Sequence, residues 1–130
     1  MGEASPVIRV AASERTTAGP VVPGMVREQA FATEGVWAGL ARTAPGMDSG
    51  WHHHGDHESV IFILSGTLRM ESGAGGSSVC DAGPGDFLYV PRGAIHRELN
   101  PGNEESRIVV ARAGHGPTTA NVDGPAAGAG

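Results

Sequence analysis

Turn-forming residues punctuate this chain at nearly even intervals, and that spacing limits what can fold between them. Pro45-Gly46, Gly55-Asp56, Ser65-Gly66, residues 73–76, Gly83-Pro84-Gly85-Asp86, Pro91-Arg92-Gly93 and Pro101-Gly102-Asn103 fall roughly 7 to 10 residues apart, the interval of short strands joined by tight turns. Twenty-one glycines and nine prolines in 130 residues also argue against a helical bundle, because each weakens a helix interior. The segments between turns (36–43, 51–54, 59–64, 67–71, 77–80, 87–90, 95–99 and 107–112) are rich in β-branched and apolar residues. In Thr67-Leu68-Arg69-Met70-Glu71 polar and apolar residues alternate, as in a strand with one covered face. Val60-Ile61-Phe62-Ile63-Leu64 does not alternate. Both of its faces should therefore be covered, one by the domain interior and the other by a second sheet or a second copy of the chain. About eight strands result, which suits an all-β sandwich or barrel.

A chain of 130 residues supports one core. That core is predicted over residues 30–113. Residues 1–29 read as an N-terminal arm, in which residues 7–10 are a candidate edge strand. Residues 114–130 read as a Gly/Pro/Ala-rich tail, disordered from Gly124 onward. A formal charge of −5 gives no attraction to polyanions, so neither nucleic acid nor an anionic membrane is an expected partner. All nine basic residues are Arg, which excludes a Schiff base through a side-chain amine. The longest apolar run has five residues, far short of a membrane-spanning helix. The N-terminus lacks the basic and apolar segments of a secretory signal. Cys80 is alone, so neither an intrachain disulfide nor a cysteine zinc cluster can form. A cytoplasmic protein is the expectation.

The chemistry concentrates in histidines. His52, His53, His54 and His57 crowd into six residues. On a strand His52 and His54 point to one face, and the segment leads into the most apolar strand, so that face looks inward. Imidazoles facing an interior need a partner, and a divalent metal is one that neutral imidazole binds well. Further on, His96 and Glu98 again lie two apart within a strand–turn–strand stretch over residues 85–100. Together the two segments would supply three nitrogens and one oxygen.

These residues resemble the cupins, small double-stranded β-helix (jelly-roll) barrels. The family's first motif is matched by Gly46, His52-x-His54, Glu58 and Gly66; the second is matched without a gap by Gly85, Pro91-x-Gly93, His96 and Asn100. The match departs in one place. Seven residues separate Glu58 from Gly66, where the family has six, so Ser59 stands at the usual carboxylate position. An offset of one residue turns a side chain to the other face. Either a bulge near Asp56 swings Glu58 inward, or the carboxylate comes from elsewhere. Pirin-like cupins share this spacing and take their carboxylate from a His-x-Glu in the second motif, which His96-Arg97-Glu98 reproduces.

The resemblance thus favours His52, His54, His96 and Glu98 as metal ligands, over a set with Glu58 or with His57 as a fourth imidazole. It implies Fe(II), Mn(II), Ni(II) or Zn(II) as cofactor and a small organic molecule as substrate. Glu58, if it is not a ligand, is the candidate catalytic acid or base. The implied function is a metal-dependent oxidoreductase of the dioxygenase kind. A non-catalytic binding or sensor protein is the alternative, and an isomerase or polyketide-tailoring enzyme a second. Small cupins commonly pair, so a homodimer is expected. Of the remaining residues, His53 and His115 are expected outside the ligand set. Trp51 and Tyr89 are weaker pocket candidates. Arg42 and Arg69 would meet an acidic substrate only if they faced inward, and Cys80 reads as a packing residue.

Overall fold

The computed structural model describes residues 5–17, 22–116 and 119–126. Its strands are β1 (Thr16–Thr17), β2 (Met25–Ala32), β3 (Val36–Thr43), β4 (His52–His53), β5 (Asp56–Ser65), β6 (Leu68–Ser72), β7 (Ser78–Ala82), β8 (Phe87–Val90), β9 (His96–Leu99), β10 (Ser106–His115) and β11 (Ala120–Asn121). They form two antiparallel sheets, ordered β1-β2-β3-β10-β5-β8 and β11-β4-β9-β6-β7. Ile61, Ile63, Ile108, Val110 and Leu88 from the first sheet meet Leu68, Met70 and Ala82 from the second in one core. This is the double-stranded β-helix expected from the sequence. Among the described residues no helix is long and apolar enough to cross a membrane.

Turn residues close the strands as their chemistry requires. Gly66, between β5 and β6, has φ of +76°, where a side chain is strained. A Cβ there would lie 2.7 Å from the Ser106 backbone.

Strand β5 resolves the unalternating apolar run. Ile61 and Ile63 are buried, whereas Val60 and Leu64 on the other face are 43% and 44% exposed. The run is therefore covered on one side within the chain, and Phe62 packs on Phe87 on the outside. The association expected from this run would have to use that outer face. The irregularity in β5 lies at Leu64, which the ladder skips: Arg107 pairs with Ser65 and Ile108 with Ile63. No bulge near Asp56 turns Glu58 inward.

The ends of the chain differ from their expected roles. Residues 7–10 form no strand, and Val7 is fully exposed. Strand β2, by contrast, crosses the expected arm boundary at residue 29 and pairs along β3. Its apolar pattern is weak because the cross-strand partners of its Arg27 and Gln29 are the inward Ala41 and Gly39. Strand β10 continues to His115. Beyond it, β11 adds to the second sheet beside β4, the Val122 amide donates to the Trp51 carbonyl at 3.1 Å, and the Gly75 amide donates to the Ala126 carbonyl at 2.6 Å. The tail thus returns to the barrel through residue 126, while residues 127–130 lie outside the described ones. Cys80 is exposed on β7 and lies outside the core, so it is not the packing residue expected.

Candidate metal centre

The two histidine segments meet across a strand pair. His52 on β4 is the direct cross-strand partner of His96 on β9, and His54 follows at the exit of β4. The three rings lie 4.4–5.0 Å apart between centroids. One candidate ligand nitrogen from each falls within 4.8 Å of the others, and all three residues are buried. Metal–nitrogen bonds are about 2.0–2.1 Å long, so one ion would reach all three with a small inward adjustment.

The backbone sets which nitrogen faces the centre. The Nδ1 of His52 lies 2.9 Å from the Gly50 carbonyl, and the Nδ1 of His96 lies 2.9 Å from the Ala94 carbonyl. A carbonyl only accepts, so each Nδ1 carries the proton and each Nε2 presents a lone pair. Both of these Nε2 atoms are buried without a hydrogen-bond partner. An unpartnered buried polar atom is costly, and here two of them converge. A divalent transition metal fits this donor set.

Glu98, two residues after His96 on β9, is buried and faces the same interior. Its Oε1 lies 4.0 Å from the His96 Nε2, and its backbone amide donates to Ser49 Oγ at 2.9 Å. The carboxylate thus stands next to His96, while the group whose ligand atoms all lie within 4.8 Å of one another is made of the three imidazoles alone. Glu58 goes elsewhere. It lies on the outer side of β5, where it accepts a bond from the Tyr89 hydroxyl at 3.2 Å and pairs with Arg92 at 2.7 Å. Ser59 occupies the inward position and accepts from Arg112 Nε at 3.2 Å. His57 is buried, but its Nδ1 is engaged by the His54 carbonyl, and it stands outside the three-nitrogen group. His53 accepts from the Gly55 amide, and His115 is exposed at the end of β10.

The electrostatics agree with a neutral imidazole at His52. Burial is the largest effect on His52 and lowers its proton affinity; the charges of His96 and Arg27 push the same way, against the Gly50 carbonyl and Glu98. A ligand nitrogen must be deprotonated to bind a metal.

Beside His52 opens a cavity of about 420 Å³, lined also by Arg27, Asp48, Trp51, Asn121 and Val122. Trp51 is thus a pocket residue, and Tyr89, though 60% exposed, lines a second cavity of about 250 Å³ that reaches His96. Arg42 and Arg69 do not face this interior: they pair with Glu28 and Asp81. The inward arginines are Arg27 and Arg112, which the sequence reading passed over. Alternation would have found the second, since Ile108, Val110 and Arg112 share a face.

The Cupin domain family model matches residues 39–112. No curated protein matches the chain. Among solved structures, the cupin domain of Schizosaccharomyces pombe Cnp3 superposes with a TM-score of 0.64 at 19% identity, covering 69% of this chain and 64% of that one. The polyketide cyclase RemF from Streptomyces resistomycificus gives 0.74 at 18% identity, covering 90% and 86%. An oxalate oxidase in complex with glycolate gives 0.64 at 21% identity, covering 82% and 59%. The chain therefore spans under two thirds of the Cnp3 and oxalate oxidase chains that it resembles. At such identities these likenesses show a shared fold. With both motifs in place and the family model spanning more than half of its length, the chain belongs to the cupin family.

Proposed function

We propose that this cupin is a mononuclear metalloenzyme that holds a divalent transition metal through His52, His54, His96 and Glu98 and carries out a dioxygen-dependent oxidation of a small organic molecule. The observation that carries the reading is the pair of buried, unpartnered Nε2 atoms on His52 and His96. When bound, the ion would supply a Lewis acid with coordination positions that the chain leaves to other ligands. The chain's own part is positional. The Gly50 and Ala94 carbonyls fix the imidazole tautomers, and Ser49 anchors the backbone that bears Glu98. The sheet walls exclude bulk water, which strengthens charge interactions inside.

A non-catalytic binding protein is the second reading. It is favoured by the outward course of Glu58, the residue expected to move protons. Elemental analysis of untagged protein, joined to oxygen-uptake assays with diketones, flavonols and catechols, tests both. One metal per chain and uptake that His96→Ala abolishes support the enzyme. Metal with saturable ligand binding but no uptake supports the binding protein. Metal below stoichiometry that His52→Ala and His96→Ala leave unchanged overturns the metal centre itself.

A further inference from the structure

Strands β7 and β8 stand last in their sheets, and the gap between these two edges leads inward. On the second sheet Met70 pairs with Cys80, and Ser72 with His96, across the ladders. Directly opposed residues share a face. Met70 and His96 are buried, so Cys80 and Ser72 lie on the inward side with them. On the first sheet Leu88 and Val90 are buried, alternating with the exposed Phe87 and Tyr89. These residues line the cavity of about 250 Å³, which has the exposed Cys80 on its wall and reaches His96.

The wall of this cavity differs chemically from that of the cavity beside His52. The latter carries Arg27 and Asp48; the former has neither an acidic residue nor an arginine among the described residues that line it. Met70, Leu88, Val90, Pro91 and Ala94 supply apolar surface. Tyr89 offers only its ring, because its hydroxyl donates to Glu58 on the outer side at 3.2 Å. A charged guest would lose hydration here with no countercharge in its place, whereas a neutral ring gains by burial. The polar exception at depth is His96, whose Nε2 is buried without a partner and carries a lone pair that a hydroxyl can bond. An apolar cavity of about 150 Å³ admits benzene, so the volume beside His96 has room for a small ring system.

We propose that the molecule this cupin takes up is a neutral hydroxylated aromatic, seated in the cleft between β7 and β8 with its ring against Met70, Leu88 and Val90 and its hydroxyl toward His96. Cys80 stands at the mouth, where a bound ring covers its thiol. The inference rests on the proposed metal centre for what becomes of the ring, but binding is measurable without turnover.

Cys80 is the only cysteine of the chain, so its alkylation by N-ethylmaleimide reads the mouth directly. The purified protein is titrated at neutral pH with naphthol and with naphthoate, the same ring bearing a charge, and metal content is measured on the same preparations. With naphthol at about ten times its calorimetric Kd, alkylation should slow about tenfold, because only the empty fraction reacts. Naphthoate at the same concentration should leave the rate within about twofold of its starting value. Cys80→Phe, which fills the mouth from an exposed position, should weaken naphthol binding about tenfold, with metal stoichiometry and circular dichroism unchanged. Cys80→Ser should bind naphthol as the native chain does. Three results overturn the proposal: no protection by naphthol at millimolar concentration, equal protection by naphthoate, or naphthol binding indifferent to Cys80→Phe, which would place the ring on the outer apolar face of β5 and β8. Naphthol protection in protein that holds no metal would sink the metalloenzyme reading alone. One metal per chain without protection would sink this one alone.

Discussion

Of the three buried polar groups on the inward face that begins on β9, His96, Glu98 and Asn100, the first and the last meet opposite fates. Around Asn100 every bond is made within the chain. Its Nδ2 donates to the Thr43 carbonyl at 3.0 Å and the Glu104 carbonyl at 2.8 Å, and its Oδ1 accepts from the Gly102 amide. Thr43 and Ser106 join hydroxyls beside it. Around His96 only the outer nitrogen is satisfied, and the inner one is left bare alongside that of His52. Both positions belong to the same sequence motif. A polar group whose bonds are all internal holds the fold together, whereas one whose bonds stay open inside a buried cluster is arranged for something else.

The largest contrast is in metal binding. His96→Ala should take the protein from one metal per chain to less than a tenth of that, read by elemental analysis, because a site with one imidazole missing loses most of its affinity. It should cost the metal-free protein less stability than Asn100→Ala does. Asn100→Ala leaves the Thr43 and Glu104 carbonyls and the Gly102 amide to find other partners, and should cost about 2–4 kcal/mol in denaturant unfolding while metal content per folded chain is unchanged. Equal metal loss in both variants would erase the distinction between the two ends.

A smaller effect comes with pH. Burial holds His52 below the ordinary imidazole range in the fold, so below about pH 6.5 the unfolded chain takes up a proton that the folded chain refuses. The melting temperature of metal-free protein should therefore fall as pH drops through that value, and His52→Gln should flatten the decline. Above it, His52 is neutral in both states and adds no slope. The smallest effect is expected at Glu58. Glu58→Gln loosens an exposed ion pair with Arg92, which contributes little; metal content should stay the same, and the melting temperature should move less than for any variant above.

Much of this centre was legible because strand parity is a strict code. His52 with His54, and His96 with Glu98, sit two apart, and the structure places each pair toward the interior. The family spacing counted back from Gly66 puts Ser59 at the usual carboxylate position and leaves open a bulge that would turn Glu58 inward; the ladder decides between them, with Ser59 inward and Glu58 outward. What escaped was polar chemistry inside strands that lack an apolar signature. Strand β2 offers Arg27 and Gln29 to the interior where a core strand would offer Val or Ile, so it read as arm rather than sheet. Strand β11 has two residues in a segment of Gly, Pro and Ala; its pairing arises from long-range docking on β4, which local composition does not encode.

That docking ties remote parts of the chain together. The two-residue strand that carries His52 is flanked by β9 on one side and by β11 on the other, and Asn121 and Val122 also wall the cavity. A guest seated there and the closure of residues 119–126 must strengthen each other by equal amounts, since linkage is reciprocal. Occupancy deep in the barrel can thus be read from its rim, as slower hydrogen exchange at the Val122 amide that clasps Trp51.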